Sequence, residues 1–186
     1  RDVPEGLAQL ADPCDPAANS RYLWGSPLLI DLSYYRGKLY LYFGVTPALV
    51  LFWPWYELTG QYLLHRHAVV IFCVVGFLAS TGLLWAMWRR YFADVGIGVV
   101  GACTLALGLA SGTLLLLAPC DVYEVAISCG YALIMLCLLA IWKALHATRG
   151  RGWWLAGASL AYGLALGARP SLLFGAVILL VPVATA

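Results

Sequence analysis

The stretch Ala68-Val-Val-Ile-Phe-Cys-Val-Val-Gly-Phe-Leu-Ala-Ser-Thr-Gly-Leu-Leu-Trp-Ala-Met-Trp88 decides the fold class. It holds no charged residue, and about 20 apolar residues are what a helix needs to cross a hydrocarbon core. Arg89-Arg90 ends the run and His65-Arg66-His67 precedes it. Outside this stretch the composition is the same in kind. The 186-residue chain is 63% hydrophobic and 11% charged, whereas about 25% of residues are charged in an ordinary soluble domain. A soluble core of this size has no room for that much apolar surface. The net charge of +2 gives no basis for a nucleic-acid partner.

Further runs follow at 95–118, 122–142, 153–168 and 171–186. They predict an all-α, polytopic transmembrane helix bundle of about five spans over residues 68–186, preceded by a loop segment, 1–67. Arg169-Pro170 separates the last two spans. Proline removes a backbone donor and disfavours helix at the residue before it, and one helix over the whole region would be about 50 Å long. Arg1 at the start and the apolar run at the end predict a piece of a longer protein. Cytoplasmic loops collect Lys and Arg. Arg89-Arg90 and Lys143, Arg149 and Arg151 therefore predict the cytoplasmic side, with 1–67, the 119–121 connection and Arg169 on the external side of a cytoplasmic (inner) membrane.

Within 1–67, residues 1–30 read as a loop with a short helix around Glu5 to Leu10. Asp31 to Phe43 reads as a hairpin with its bend at Arg36-Gly37. Val45 to Tyr56 contains Pro47 and Pro54 and is too short to span, so an interfacial or re-entrant segment is expected, with Trp53, Trp55 and Tyr56 at headgroup depth. Asp121-Val-Tyr-Glu124 fits a helix N-terminus with a capping residue. Glu124 is then either part of that cap or an acid at the mouth of a pocket. Gly108, Ser111 and Gly112 predict close helix packing. Cys73, Cys103, Cys129 and Cys137 fall within spans as small apolar fillers. Cys14 and Cys120 share the external side, where an oxidising compartment would let them pair. His65 and His67 lack an acidic or Cys partner nearby, so no metal site is expected. Soluble-type catalytic motifs are absent, and no motif names a cofactor.

Two features carry chemistry. Asp31-Leu-Ser-Tyr-Tyr-Arg-Gly-Lys-Leu-Tyr-Leu-Tyr-Phe-Gly44 puts carboxylate, guanidinium, ammonium and phenol groups at a water–lipid boundary. Arg169 sits at the end of a span beside the N-terminus of the next helix. A guanidinium there either anchors at the interface or seats a phosphate.

Leu10-Ala-Asp-Pro-Cys-Asp-Pro16, the Asp31–Gly44 stretch with Pro47, and Gly163-Leu-Ala-Leu-Gly-Ala-Arg-Pro-Ser171 together resemble bacterial GT-C type glycosyltransferases, the group of protein mannosyltransferases and lipid A aminoarabinose transferases. The resemblance implies a polyprenyl-phosphate-linked sugar as partner alongside the membrane lipids. It also implies a catalytic Asp or Glu in the first external loop. This chain starts inside that loop, so the carboxylate is either upstream of Arg1 or Asp31, with Asp12 and Asp15 as further candidates. Arg36, Lys38 and Arg169 would hold phosphate, and Tyr34, Tyr35, Tyr40 and Tyr42 would stack on sugar faces. The alternative for this cluster is an interfacial hairpin in which Asp31 pairs locally with Arg36 or Lys38. The alternative functions are a transporter or lipid flippase, or a non-catalytic membrane subunit.

Overall fold

The computed structural model describes residues 6–12, 15, 18, 32–35, 38–41, 44–110, 112, 116–117 and 122–184. The chain divides into two compact units, Arg1–Phe43 and Gly44–Ala186. The boundary falls at Gly44, so the segment expected to be interfacial belongs with the helices and not with the loop.

In the first unit a single 3-10 turn, Leu7–Gln9, follows Gly6. Strands β1 (Leu32–Tyr35) and β2 (Lys38–Leu41) pair antiparallel, with Ser33 opposite Tyr40 and Tyr35 opposite Lys38. That register matches a bend at Arg36-Gly37, two residues that lie outside the described ones.

The second unit opens with a π-helical turn, Ala48–Phe52, that runs into α1, Trp53–Thr59. Pro54 accounts for the wide turn. Its missing N–H and its ring are incompatible with a bond to the carbonyl four residues back. The chain instead bonds Trp53 N–H to Ala48 O, five residues back, the single-turn bulge that relieves such a clash. Gly60, at φ 67, ends α1 and returns its N–H to Tyr56 O. The aromatic residues here face outward: Trp53, Trp55, Tyr56 and Tyr62 are all exposed.

Among the described residues four long helices follow: α2 (His65–Tyr91), α3 (Ile97–Ala110), α4 (Val122–His146) and α5 (Arg151–Ala168). Two of them, His65–Tyr91 and Tyr123–His146, are long and apolar enough to cross a membrane. Both exceed the runs expected at 68–88 and 122–142. The span expected at 95–118 is not a continuous helix: α3 stops at Ala110, and Gly112 takes a left-handed φ of 72. At about 21 Å, α3 falls short of a full crossing. Gly112 therefore does not belong to the small-residue face expected on that span, whereas Gly108 does, lying against the Phe77 ring.

The region expected as a helix over 171–186 is also built differently. Residues Pro170–Leu180 form a 3-10 helix, and α6 (Val181–Ala184) completes the segment. Side chains three apart eclipse in this geometry, and the exposure follows that period. Ser171, Phe174, Val177 and Leu180 form one column, all of it exposed, with Phe174 at 90%. At 2.0 Å per residue, eleven residues rise about 22 Å. The 15-residue return thus matches the rise of the 18-residue α5, about 27 Å. Two bonds fasten the return to α5: Tyr162 Oη donates to Leu172 O (2.7 Å) and Arg151 Nη2 donates to Pro182 O (2.7 Å).

Helices α2 and α4 run parallel, since Gly76 meets Tyr131 and, 15 residues on in each helix, Tyr91 meets His146. The interfaces are built from small residues. Ala68, Cys73, Cys129, Ala132, Ala165 and Ala168 join Val69, Phe72 and Leu133 in one buried cluster; Cys137, Ala140, Ala158 and Tyr162 make another. Cys103 alone of the four helical cysteines is exposed. Large apolar side chains such as Leu78, Leu105, Leu109 and Leu160 point outward. Small residues inside and large apolar ones outside is the distribution of helices that pack in lipid. Charges bound an apolar belt: Arg66 to Arg89 spans about 35 Å, Glu124 to Lys143 about 28 Å and Arg151 to Arg169 about 27 Å of helix axis, against roughly 30 Å of hydrocarbon.

At Gly76, α2 lies close against α4. A Cβ there would overlap the Tyr131 ring. Gly76→Val is expected to lower stability by about 1–3 kcal/mol through overpacking, read as a drop in melting temperature in detergent. Gly163→Ala, with open space around it, should leave that temperature unchanged or slightly raised.

Candidate functional site

The chain turns at Arg169 because Pro170 follows it. The residue before a proline is driven out of the helical region, and Arg169 sits at φ −143, ψ 107, with its N–H still bonded to Ala165 O. Pro170 then takes the first position of the 3-10 helix, where a missing N–H costs nothing. Leu172 N–H bonds back to Arg169 O at 3.1 Å, closing the turn.

This turn leans on α4 and leaves a cavity of about 280 Å³, lined by Ile127, Gly130, Tyr131 and Ile134 of α4 together with Arg169, Ser171 and Leu172. Gly130 has no side chain to fill the space, and the Arg169 stem passes beside it, with Cγ 3.9 Å from where a Cβ would stand. Arg169 is half-buried and forms no ion pair among the described residues. The walls are otherwise almost wholly apolar. Tyr131 is fixed by its fit over Gly76 and by a 3.4 Å contact between its hydroxyl and Ser80 Oγ. The chemistry on offer is therefore one guanidinium and the Ser171 hydroxyl, the Tyr131 hydroxyl being turned to Ser80, in an apolar-walled recess at the edge of the belt. That combination suits an anion carried on an apolar tail.

Arg169 is positioned from a second direction. Gly44 abuts the Gly167 carbonyl so closely that a Cβ at residue 44 would overlap it, and a Cβ at Gly167 would overlap Thr46 Oγ1. Thr46 is 2% exposed. The segment leading into the π-turn thus crosses the last turn of α5 two residues before Arg169. Both glycines belong to the second unit, Gly44 as its first residue.

The other sequence candidates are distributed differently. Asp31 and Arg36 lie outside the described residues, as do Cys14, Cys120 and Asp121. Asp12 and Asp15 are exposed, in a turn closed by Asp15 N–H to Asp12 O. Tyr35 and Tyr40 occupy β1 and β2, and Lys38, exposed, pairs with Tyr35 across the hairpin. Glu124 is half-buried in the first turn of α4, one turn before Ile127, and does not line the cavity. His65 and His67 lie on a helix, where a spacing of two sends side chains to different faces. The residues missed in the sequence are Gly130, Tyr131 and Thr46; Gly167 lies within the quoted Gly163–Ser171 stretch but had no role of its own there. A phenol next to a glycine in mid-span was the available signal for the first two. Comparison with protein-family models, characterised proteins and solved structures finds no match to this chain.

The Tyr162 hydroxyl holds the first turn after Pro170 through Leu172 O. Tyr162→Phe should cost about 0.5–1.7 kcal/mol, the range for an interhelical bond in a membrane protein. Faster hydrogen exchange over 172–176 than over α4 is the measurement that checks it.

Proposed function

We propose that this chain is part of a multi-pass membrane glycosyltransferase that moves a sugar from a polyprenyl-phosphate donor to an acceptor on the external face of the cytoplasmic membrane. The observation that carries the reading is Arg169: a half-buried guanidinium without an ion pair among the described residues, in an apolar-walled cavity at the boundary of the belt. Support for the membrane setting comes from the two long apolar helices and from the 27–35 Å spacing of charges on α2, α4 and α5. In this reading α2, α3, α4, α5 and the Pro170–Ala184 return make five traverses, α3 shorter than the rest. Residues 1–67 then lie outside, and Arg89, Arg90 and Lys143 lie inside.

Transfer from a lipid phosphate needs a cation at the leaving phosphate and a base at the acceptor hydroxyl. Arg169 fills the first role, with Ser171 as a further donor. The base is a carboxylate: on the resemblance Asp31, then Asp12 or Asp15, or one upstream of Arg1. Arg36 and Lys38 are additional phosphate ligands on the same grounds, with Tyr35 and Tyr40 against the sugar; Glu124, which does not line the cavity, is a substrate-facing acid at its mouth.

The test is the full-length protein reconstituted with polyprenyl-phosphate sugars, reading acceptor-dependent sugar release. Arg169→Gln should lower the rate about 10²- to 10³-fold, the loss typical of one charge-stabilising donor, with melting temperature retained. Arg169→Lys should recover only part, because an ammonium lacks the bidentate fork. Lipid translocation without release from any donor would point to a flippase, and neither activity would point to a binding subunit.

A further inference from the structure

At the end where α2 and α4 stop and α5 begins, Arg89, Arg90, Lys143, Arg149 and Arg151 gather with a single acid, Asp94. Arg151 donates to Pro182 O. The other four cations are exposed, and none has an ion pair among the described residues. The opposite end mixes signs, with Glu57, Arg66, Glu124 and Arg169. The asymmetry is more than a loop composition, because the basic end is held together. Tyr91 Oη lies 3.2 Å from His146 Nε2, and His146 Nδ1 lies 2.8 Å from Trp142 O. A carbonyl only accepts, so Nδ1 carries the hydrogen of that bond. The Trp142 ring stands 4.1 Å from His146 and 5.7 Å edge-on from Tyr91, and the Arg90 guanidinium sits 5.9 Å over the Tyr91 ring. This clamp fixes the ends of two helices side by side, so their cations project from a rigid base. Trp85, Phe92, Trp153 and Trp154, near the same helix ends in sequence, are exposed, and the amphipathic tryptophan rings are of the kind that settles at headgroup depth.

We infer that this rim is a binding surface for anionic phospholipid headgroups, with the phosphodiester over the Arg89, Arg90, Lys143 and Arg149 cations and the acyl chains along the exposed apolar flanks below. It rests on the membrane reading given above and is independent of sugar transfer. Positive loops that only orient a protein need hold no lipid; here Arg89, Arg90 and Lys143 stand on clamped helix ends and have no ion pair among the described residues.

The full chain in neutral detergent, titrated with phosphatidylglycerol or phosphatidylcholine and followed by native mass spectrometry, tests this. Phosphatidylglycerol should bind at least about fivefold more tightly, and the Arg89→Gln/Arg90→Gln pair should weaken it about 5- to 25-fold, the effect of one to two cations at an anionic surface. Lys143→Gln/Arg149→Gln should act alike, while Arg66→Gln at the far end should change nothing. Equal affinity for both lipids, insensitivity to both rim pairs, or an equal loss in Arg66→Gln overturns the inference and leaves the membrane reading standing. Binding of neither lipid by a protein that stays monodisperse without detergent overturns both.

Discussion

A peptide group inside hydrocarbon has no water to bond with, so every N–H and C=O in the belt must find its partner within the protein. In the proposed membrane setting the second unit follows from that demand. Helix is the default, and each departure from it repairs a specific deficit. The π-turn at Ala48–Phe52 accommodates Pro54. Behind Pro170 the chain takes up 3-10 bonding at once, and the Tyr162 hydroxyl reaches a carbonyl in its first turn. Arg151 serves the carbonyl of Pro182 at the other end. Among the described residues, side chains serve carbonyls where a helix ends or a proline intervenes, at Leu172 and Pro182, and Ser80, Thr104 and Ser128 also bond back to carbonyls inside their own helices.

The same solvent explains which features the sequence revealed. Apolar runs over 68–88 and 122–142 read as α2 and α4 because lipid imposes length and apolarity together. The run over 95–118 read the same way, yet α3 ends at Ala110 and Gly112 is left-handed; composition does not separate a helix from a helix plus a turn when both are apolar. Residues 170–180 have the composition of any apolar helix. Their 3-10 form goes with fastening to α5, a non-local fact. Arg169 was legible because a lone cation between apolar runs is costly and local. Its surroundings were not, since Gly130 and Tyr131 come from a helix 35 or more residues earlier, and the Gly44–Gly167 contact joins positions 123 residues apart.

The two ends of the belt are chemically unlike. One carries an arginine recessed among apolar walls and held from two directions, by the proline after it and by the Thr46–Gly167 crossing before it. The other presents cations in the open on a base stiffened by Tyr91, Trp142 and His146. A recessed cation favours one ligand of defined shape, whereas an open set favours a class of headgroups.

The return segment of Pro170–Leu180 has a triangular cross-section: three columns of side chains, each repeating every third residue. Insertion of one residue would rotate everything beyond it by a third of a turn, about 120°, and lengthen the segment by about 2 Å. The outward column of Phe174, Val177 and Leu180 would be broken, and the Pro182 carbonyl would swing away from Arg151. Three inserted residues would restore the columns but overshoot the latch by about 6 Å. The segment is therefore a ruler whose length and phase are read together, and divergence in this part of the chain should proceed by substitution, with gaps confined to the turns on either side.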